Sequence, residues 1–216
     1  MNIMTLCTPK AELRCAALAR RAALSGDERD AAAQSIASRL FPVAVTADSI
    51  VAGYSPIRSE LDPVLLMRCL VETHAARLVL PVVVARDQPL LFRQWSPTDT
   101  LVVGAMGILE PPTDAPELLP DILLVPLAAF DRAGHRIGYG AGHYDRTFAK
   151  LRAIKPVVAI GLAFDVQEIE AVPAGPHDVA LDYVLTETRT IDFRSIRFAY
   201  SFHRRRGRQD RAHHYP

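Results

Sequence analysis

The stretch LLVPLAAFDRAGHRIGYGAGHYDRTF, residues 123–148, has the pattern of a buried strand, a glycine run and the start of a helix. Its first residues belong to an apolar run, 122–125, that is typical of a strand covered on both faces. Gly138, Gly140 and Gly142 follow at every second position. Backbone without Cβ atoms lets several N–H groups approach one anion, and the helix after Gly142 would add the positive end of its dipole. The pattern therefore indicates a nucleotide site at the end of a strand.

Spacing alone leaves the glycine run open to two interpretations. It is not a P-loop, because no Lys-Ser or Lys-Thr follows the last glycine, and Tyr144 and Asp145 occupy the place of the third glycine of a dinucleotide motif. A phosphate-binding loop and a purely structural turn are therefore about equally supported. Asp145, one turn into the helix, offers hard oxygen ligands that suit Mg²⁺ beside a phosphate, but it would otherwise be a partner of the helix dipole.

Strands and helices are predicted to alternate along most of the chain. Strands are expected at 49–54, 78–84, 90–95, 122–125, 157–162 and 183–186. Helices are expected at 8–24, 27–40 and 62–74, after Gly142 and at 165–170, with Thr8 and Asp27 as the first two caps and 96–120 as a surface loop. The alternation predicts an α/β fold of three layers, with a mostly parallel sheet and helices on both faces. Ligands in such folds bind at the carboxyl ends of strands, where residues 54–60, 130–145 and the loop around Asp178 are placed.

The composition narrows the class of protein. The 216 residues, half of them hydrophobic, suit one domain over residues 1–193, followed by a basic and disordered tail over residues 194–216. A net charge of +1 does not indicate binding to nucleic acid or membranes, and no apolar run is long enough to span a bilayer. The three cysteines lack metal-binding spacing, and an odd count without a signal peptide favours a reduced protein. We expect a cytoplasmic monomer whose partners are small molecules, with no nucleic acid and no membrane.

The tail is the one strongly charged segment. Residues 194–216 contain seven arginines and a single acidic residue, Asp210. A solvated, disordered tail is the favoured interpretation. An arm that binds nucleic acid or an anionic surface is the alternative, but the tail lacks the interleaved stacking aromatics of such arms.

The glycine run and the motifs on both sides of it resemble the 5-formyltetrahydrofolate cyclo-ligase family, also called methenyltetrahydrofolate synthetases. The resemblance covers about residues 8–190, and its central motif is specific. The matching motifs are KAELR at 10–14, YSPIRSELDP at 54–63, GAMGILEP at 104–111, VP at 125–126 through FD at 130–131, RIGYGAGHYDR at 136–146, GLAF at 161–164 and PHDVALD at 176–182. The resemblance implies the NagB/RpiA/CoA transferase-like arrangement of the three-layer fold.

The resemblance also implies an ATP- and Mg²⁺-dependent ligase of one-carbon metabolism. Such an enzyme converts 5-formyltetrahydrofolate into 5,10-methenyltetrahydrofolate and releases ADP and phosphate. An amide oxygen is a poor leaving group, so ATP would phosphorylate the formyl oxygen, and the neighbouring nitrogen would close the ring as phosphate departs. The protein would contribute positioning and charge stabilisation, without a covalent nucleophile.

The residue roles that the resemblance implies fall into three groups. The catalytic residues would be Lys10, Arg14, Arg136 and Asp145, and ATP would bind Lys10, Arg14, Arg136, Ile137, Gly138, Tyr139, Gly140, Ala141, Gly142, His143 and Tyr144. Asp145 and Asp178 would hold Mg²⁺, with Asp182 a weaker candidate. Glu60 would accept hydrogen bonds from the pterin, and Tyr54, Met106 and Tyr144 would line its pocket.

Each of these roles has an alternative in which the residue has no part in ligand binding. Lys10, Arg14 and Arg21 fall close to one helix face, and their spacing alone favours a solvated basic surface. Glu60 would otherwise be an exposed loop charge, and Tyr54 a core aromatic. A non-catalytic folate- or nucleotide-binding protein, or a sugar-phosphate isomerase or transferase of related fold, would be the competing functions.

The chain departs from the family pattern at two points. Tyr139 and Ala141 stand where some members have Arg and Lys, so Arg146 and the other cations of the site, with Mg²⁺, would have to neutralise the phosphates. Met106 stands where a bulky aromatic residue is usual.

Overall fold

A seven-stranded sheet lies at the centre of the computed structural model, which describes residues 8–195. The strands are β1 Ile50–Ala52, β2 Arg77–Val82, β3 Leu91–Gln94, β4 Val102–Val103, β5 Leu109–Glu110, β6 Ile122–Pro126, β7 Ala129–Phe130, β8 Arg136–Ile137, β9 Val158–Leu162, β10 Tyr183–Leu185 and β11 Thr190–Asp192. The helices are α1 Pro9–Ala22, α2 Gly26–Ala37, α3 Val64–His74 and α4 His143–Arg152, with a 3₁₀ turn at Asp165–Gln167.

The sheet is mostly parallel, as predicted. Its strand order is β11-β10-β9-β6-β1-β2-β3, and only the edge strands β11 and β3 run antiparallel to their neighbours. Alternate residues of β6 face opposite layers: Leu124 packs in the core that α2 and α3 cover, and Leu123 packs in the core that α4 covers. Both faces of β6 are therefore buried in hydrophobic core, which explains its uninterrupted apolar sequence.

Local capping determines where the helices begin. Thr8 caps α1, as predicted, and its hydroxyl accepts a hydrogen bond from the Ala11 N–H at 3.4 Å. The prediction of Asp27 as the cap of α2 is wrong, because Ser25 and Glu28 form a reciprocal capping box there. Gly142, before α4, has a φ of +67°, a left-handed conformation that glycine adopts without a steric penalty.

Two small ribbons complete the fold around the site. The region predicted as a loop, 96–120, contains the antiparallel pair β4–β5. The β7–β8 ribbon supports α1, whose Ala17 packs against Ala129 and Ile137.

Within residues 8–195, no helix combines the length and the apolar character needed to cross a membrane. The predicted tail lies outside the described residues, apart from Arg194 and Ser195.

Candidate active site

A cavity of about 400 Å³ opens where β1, β2 and β6 end, the edge at which the sequence predicts a ligand. α1, the loop after β1, the β4–β5 hairpin, the glycine run and α4 enclose it. Almost every predicted site residue lines it: Lys10, Arg14, Tyr54, Glu60, Met106, Arg136, Gly138, Tyr139, Gly140, Ala141, Gly142, His143, Tyr144, Asp145 and Asp178.

Two of the cations of α1, Lys10 and Arg14, contact the site rather than solvent alone. Lys10 Nζ lies 2.6 Å from Asp178 Oδ2, an ion pair between residues far apart in sequence. Arg14 Nε donates to the Gly138 carbonyl at 2.7 Å. The Arg14 guanidinium also lies beside Gly140, where an added Cβ would be 3.6 Å from its central carbon. α1 therefore brings two positive charges to the cavity, one of them in contact with the glycine run.

Arg136 and Asp145 form the most buried ion pair of the cavity wall. The Arg136 guanidinium, whose side chain is 5% exposed, donates to Asp145 Oδ1 at 2.7 Å and to the Val179 carbonyl. The same carboxylate oxygen accepts the Val179 N–H at 3.0 Å. These bonds fix the first turn of α4 against the loop that carries Asp178.

Asp145 and Asp178 together suit a magnesium ion that also binds phosphate. Partial burial opposes ionisation of Asp178, but hydrogen bonds from Lys10 and from the Gly175 N–H outweigh it, and the pKa of Asp178 lies below its ordinary value. Within residues 8–195, the second oxygen of neither carboxylate accepts a hydrogen bond. Nor do these residues contain a cluster of three or more metal-binding side chains. Mg²⁺ usually needs only one or two carboxylates beside phosphate oxygens and water, so this donor set fits.

Glu60 is the acidic group of the opposite wall. It is 8% exposed, so the alternative of an exposed loop charge is wrong. Its Oε2 accepts the Ile57 N–H at 2.9 Å. Burial raises the pKa of Glu60, and the Ile57 hydrogen bond and nearby cations only partly offset this. A buried carboxylate with few partners can accept hydrogen bonds from a ligand that donates several.

Aromatic and apolar side chains complete this wall. Tyr54 belongs to the core and also lines the cavity, and its hydroxyl donates to the Leu61 carbonyl at 2.7 Å. Tyr144 packs on Phe148 with ring centroids 6.5 Å apart. Met106, on the turn of the β4–β5 hairpin, is 59% exposed and forms the rim. The wall thus offers flat contact area on one side and a flexible thioether on the other.

Two residues linked to phosphate binding lie outside the cavity lining. Ile137 is fully buried against α1, so its side chain is part of the core. Arg146 donates to the carbonyls of Ala141 and Arg86, the latter at 3.1 Å. Arg146 therefore holds the glycine run to a neighbouring loop in this structure.

Two further predicted residues have specific neighbours. His143 Nδ1 lies 3.0 Å from the Gln88 carbonyl, which ties the start of α4 to the loop after β2. Asp182 pairs with Arg152 at 3.1 Å and accepts the Ala159 N–H at 2.9 Å. Asp182 is not among the residues that line the cavity, so its structural alternative fits better than a metal role.

Sequence reasoning missed a functional neighbour in Arg21. Arg21 lies on the same face of α1 as Lys10 and Arg14, yet it is 1% exposed and lies behind the Glu60 loop. The shared helix face was a signal for its position, but the spacing could not tell which of the three cations would be buried.

Comparison with known proteins identifies the family of the chain. The family model described as the 5-formyltetrahydrofolate cyclo-ligase family matches residues 7–187. The chain belongs to this family. Its curated relatives include 5-formyltetrahydrofolate cyclo-ligase of Mycolicibacterium smegmatis, 36% identical over 84% of this chain and 95% of that protein. The enzyme of the same name from Escherichia coli is 34% identical over 79% of this chain and 96% of its own length.

A solved structure supports the family fold. The NMR structure of Aquifex aeolicus 5,10-methenyltetrahydrofolate synthetase is similar to this chain with a TM-score of 0.71 and 30% identity. The similarity covers 87% of this chain and 94% of that one. The protein is therefore an enzyme of the cyclo-ligase family with the family's α/β fold.

Proposed function

We propose that this enzyme uses ATP and Mg²⁺ to convert 5-formyltetrahydrofolate into 5,10-methenyltetrahydrofolate, with release of ADP and phosphate. The observation that carries the proposal is that the cavity has two chemically different walls. One wall has the buried carboxylate of Glu60 and flat aromatic surface, and the other has the glycine run with Lys10, Arg14 and Arg136. A pterin and a triphosphate need these two different environments close together.

The Glu60 wall would bind the pterin. The amino-amide edge of a pterin presents adjacent N–H donors, and a carboxylate can accept two of them. Hydrogen bonds from the pterin would replace the hydrogen bonds with water that Glu60 loses on burial. Tyr54 and Tyr144 would contact the rings and exclude water from the reacting formyl group.

The glycine run would bind the ATP phosphates. The N–H groups between Gly138 and Gly142 and the start of α4 provide partial positive charge, and Lys10 and Arg14 add full charges. Arg136 is already fixed by Asp145 and Val179, so it needs little reordering to stabilise a transferring phosphoryl group. Lys10 would exchange its contact with Asp178 for phosphate oxygens.

Asp145 and Asp178 are the residues that would hold Mg²⁺. When bound, the ion would neutralise phosphate charge and orient the triphosphate. Release of Lys10 from Asp178 would make that carboxylate available to the ion, and the Gly175 N–H and the charge of Arg136 would still favour its ionised form.

The reaction then follows from positioning. The formyl oxygen attacks the γ-phosphorus of ATP and ADP leaves, so the formyl carbon acquires a phosphate leaving group. The side-chain nitrogen of the folate attacks that carbon, and phosphate departs with the former formyl oxygen and takes up the proton that the nitrogen loses. Every bond change is between the two substrates, so the protein needs to align them and to stabilise negative charge.

The proposal is tested by following methenyl absorbance in the near ultraviolet with 5-formyltetrahydrofolate, ATP and Mg²⁺, each omitted in turn. Product is expected only when all three are present. Folate binding without product would favour a non-catalytic binding protein. Product formed at the same rate without ATP would contradict the proposal.

A further inference from the structure

Among residues 8–195, Arg21 is a buried cation without an acidic partner in contact. It is 1% exposed, and none of the ion pairs within residues 8–195 includes it. Its Nε donates to Ser59 Oγ at 3.2 Å, and a terminal nitrogen donates to the Leu127 carbonyl at 3.4 Å. Removing a guanidinium from water is costly, so arginines are rarely buried without a group that uses the charge.

The groups that face this charge are Tyr139 and Glu60. The Arg21 guanidinium carbon lies 5.8 Å from the centre of the Tyr139 ring, within the range of a cation–π contact. Arg21 also favours the ionised form of Glu60, against the effect of burial. The charge of Arg21 therefore acts on the wall of the cavity that carries Glu60.

Tyr139 belongs to the glycine run in sequence, but its hydroxyl is directed to the acidic wall. This hydroxyl is buried and has no hydrogen-bond partner of good geometry among the described residues. It lies close to both Glu60 and Arg21, and burial followed by the Glu60 charge raises its pKa to about 12. The neutral Tyr139 hydroxyl thus lies beside the buried Glu60 carboxylate, and Tyr139 lines the ligand cavity.

The same arginine bonds a side chain of the loop that carries Glu60. Ser59, which Arg21 binds, directly precedes Glu60, and Arg58 before it has a φ of +57°. Glu60 closes this turn through its own bonds with Ile57. Arg21 therefore contacts both the Ser59 side chain, which is next to Glu60 in sequence, and the Tyr139 ring, which faces Glu60.

We propose that Tyr139 is a residue of the folate site, where its hydroxyl completes the hydrogen bonding of the Glu60–pterin pair, and that Arg21 is the positioning residue for both. The assignment rests on the proposed function, because it takes the ligand of Glu60 to be the pterin. It differs from the role that the glycine run implies for Tyr139, which is contact with ATP.

The test measures the affinities of the two substrates separately, without turnover. Titration calorimetry gives Kd for 5-formyltetrahydrofolate alone and for ATP with Mg²⁺ alone. Tyr139→Phe keeps the ring and removes the hydroxyl, and it is expected to weaken folate binding roughly tenfold, as for the loss of a hydrogen bond to a charged group. ATP affinity should stay within about twofold of the unmodified enzyme, which is near the limit of a single titration.

Arg21→Gln should weaken folate binding in the same direction, and Arg20→Gln, its exposed neighbour on α1, serves as the matched control. The combination of Tyr139→Phe with Glu60→Gln should cost less than the two single changes added together, because the groups act as a unit. Thermal unfolding identifies a variant that has lost its fold, and Tyr139→Phe remains decisive if Arg21→Gln does not fold.

Two results would overturn the assignment in distinguishable ways. If Tyr139→Phe weakens ATP binding and leaves the affinity for folate unchanged, Tyr139 belongs to the phosphate site. Arg21 then has no role in positioning a folate-binding residue. Failure of the unmodified enzyme to bind 5-formyltetrahydrofolate would overturn the proposed function and the assignment together.

Discussion

Replacing Glu60 by glutamine separates the binding of folate from the stability of the fold. The carboxylate is buried, and one of its oxygens already accepts the Ile57 N–H at 2.9 Å. Glutamine keeps one acceptor oxygen for that bond but turns an N–H₂ group toward a pterin edge that also donates. At least one hydrogen bond to a charged group is lost, which corresponds to about 1.5–3 kcal/mol, or roughly 10- to 150-fold in Kd.

The same substitution should leave the free energy of unfolding unchanged or raise it slightly. The pKa of Glu60 in the folded protein lies above the ordinary 4.5, because burial disfavours the charge. The folded state therefore binds more protons than the unfolded state between the two pKa values, and the contribution of Glu60 to stability falls as pH rises through that window. At neutral pH the charge is a cost that glutamine removes.

The pH dependence of folate binding should change with it. The unmodified enzyme is expected to lose affinity for 5-formyltetrahydrofolate as the pH falls through the raised pKa of Glu60, and Glu60→Gln should lack this step. Calorimetric Kd values across pH and thermal unfolding at neutral pH measure the two effects. A glutamine variant that binds folate as tightly as the unmodified enzyme, or that loses ATP affinity instead, would refute the reasoning.

Three further changes test the side of the cavity that would bind the ATP phosphates and Mg²⁺. Asp145→Asn keeps the acceptor for Arg136 but removes a metal ligand, so turnover should fall roughly a hundredfold or more and the Mg²⁺ requirement should rise, which a Mg²⁺ titration measures. Lys10→Ala should weaken ATP binding more than folate binding, whereas Lys150→Ala, an exposed lysine at the end of α4, should change neither; equal weakening of both ligands would make Lys10 a structural residue. Gly140→Ala should lower Tm by about 2–4 °C, since φ at Gly140 is +98°, and Gly138→Ala should not; equal Tm values would contradict the strain.

The parallel sheet could be predicted because its strands are buried on both faces. That environment leaves an uninterrupted apolar run in the sequence, as in β6, and the helices that cover it carry their own spacing. The β4–β5 hairpin escaped prediction because two paired residues in each strand are too few to show a period. The cap of α2 was misplaced by two residues because Ser25 and Asp27 are both favourable caps, and only the Glu28 bond distinguishes them.

The positions of the site residues could likewise be predicted from the sequence only in part. The glycine run and Asp145 are near in sequence, so their common position follows from one turn. Arg21 and Tyr139 depend on how α1 lies against the loop after β1, and no local pattern records that packing. Ile137 is in the same motif as the cavity residues, yet the alternation of β8 turns its side chain into the core.

The central claim is that ATP phosphorylates the formyl oxygen of the bound folate. The most direct measurement uses 5-formyltetrahydrofolate labelled with oxygen-18 in the formyl group, with mass analysis of the phosphate released in ordinary water. The account predicts one labelled oxygen in each phosphate, formed together with one methenyl product and one ADP. Phosphate without the label, released while the methenyl product forms, would contradict it.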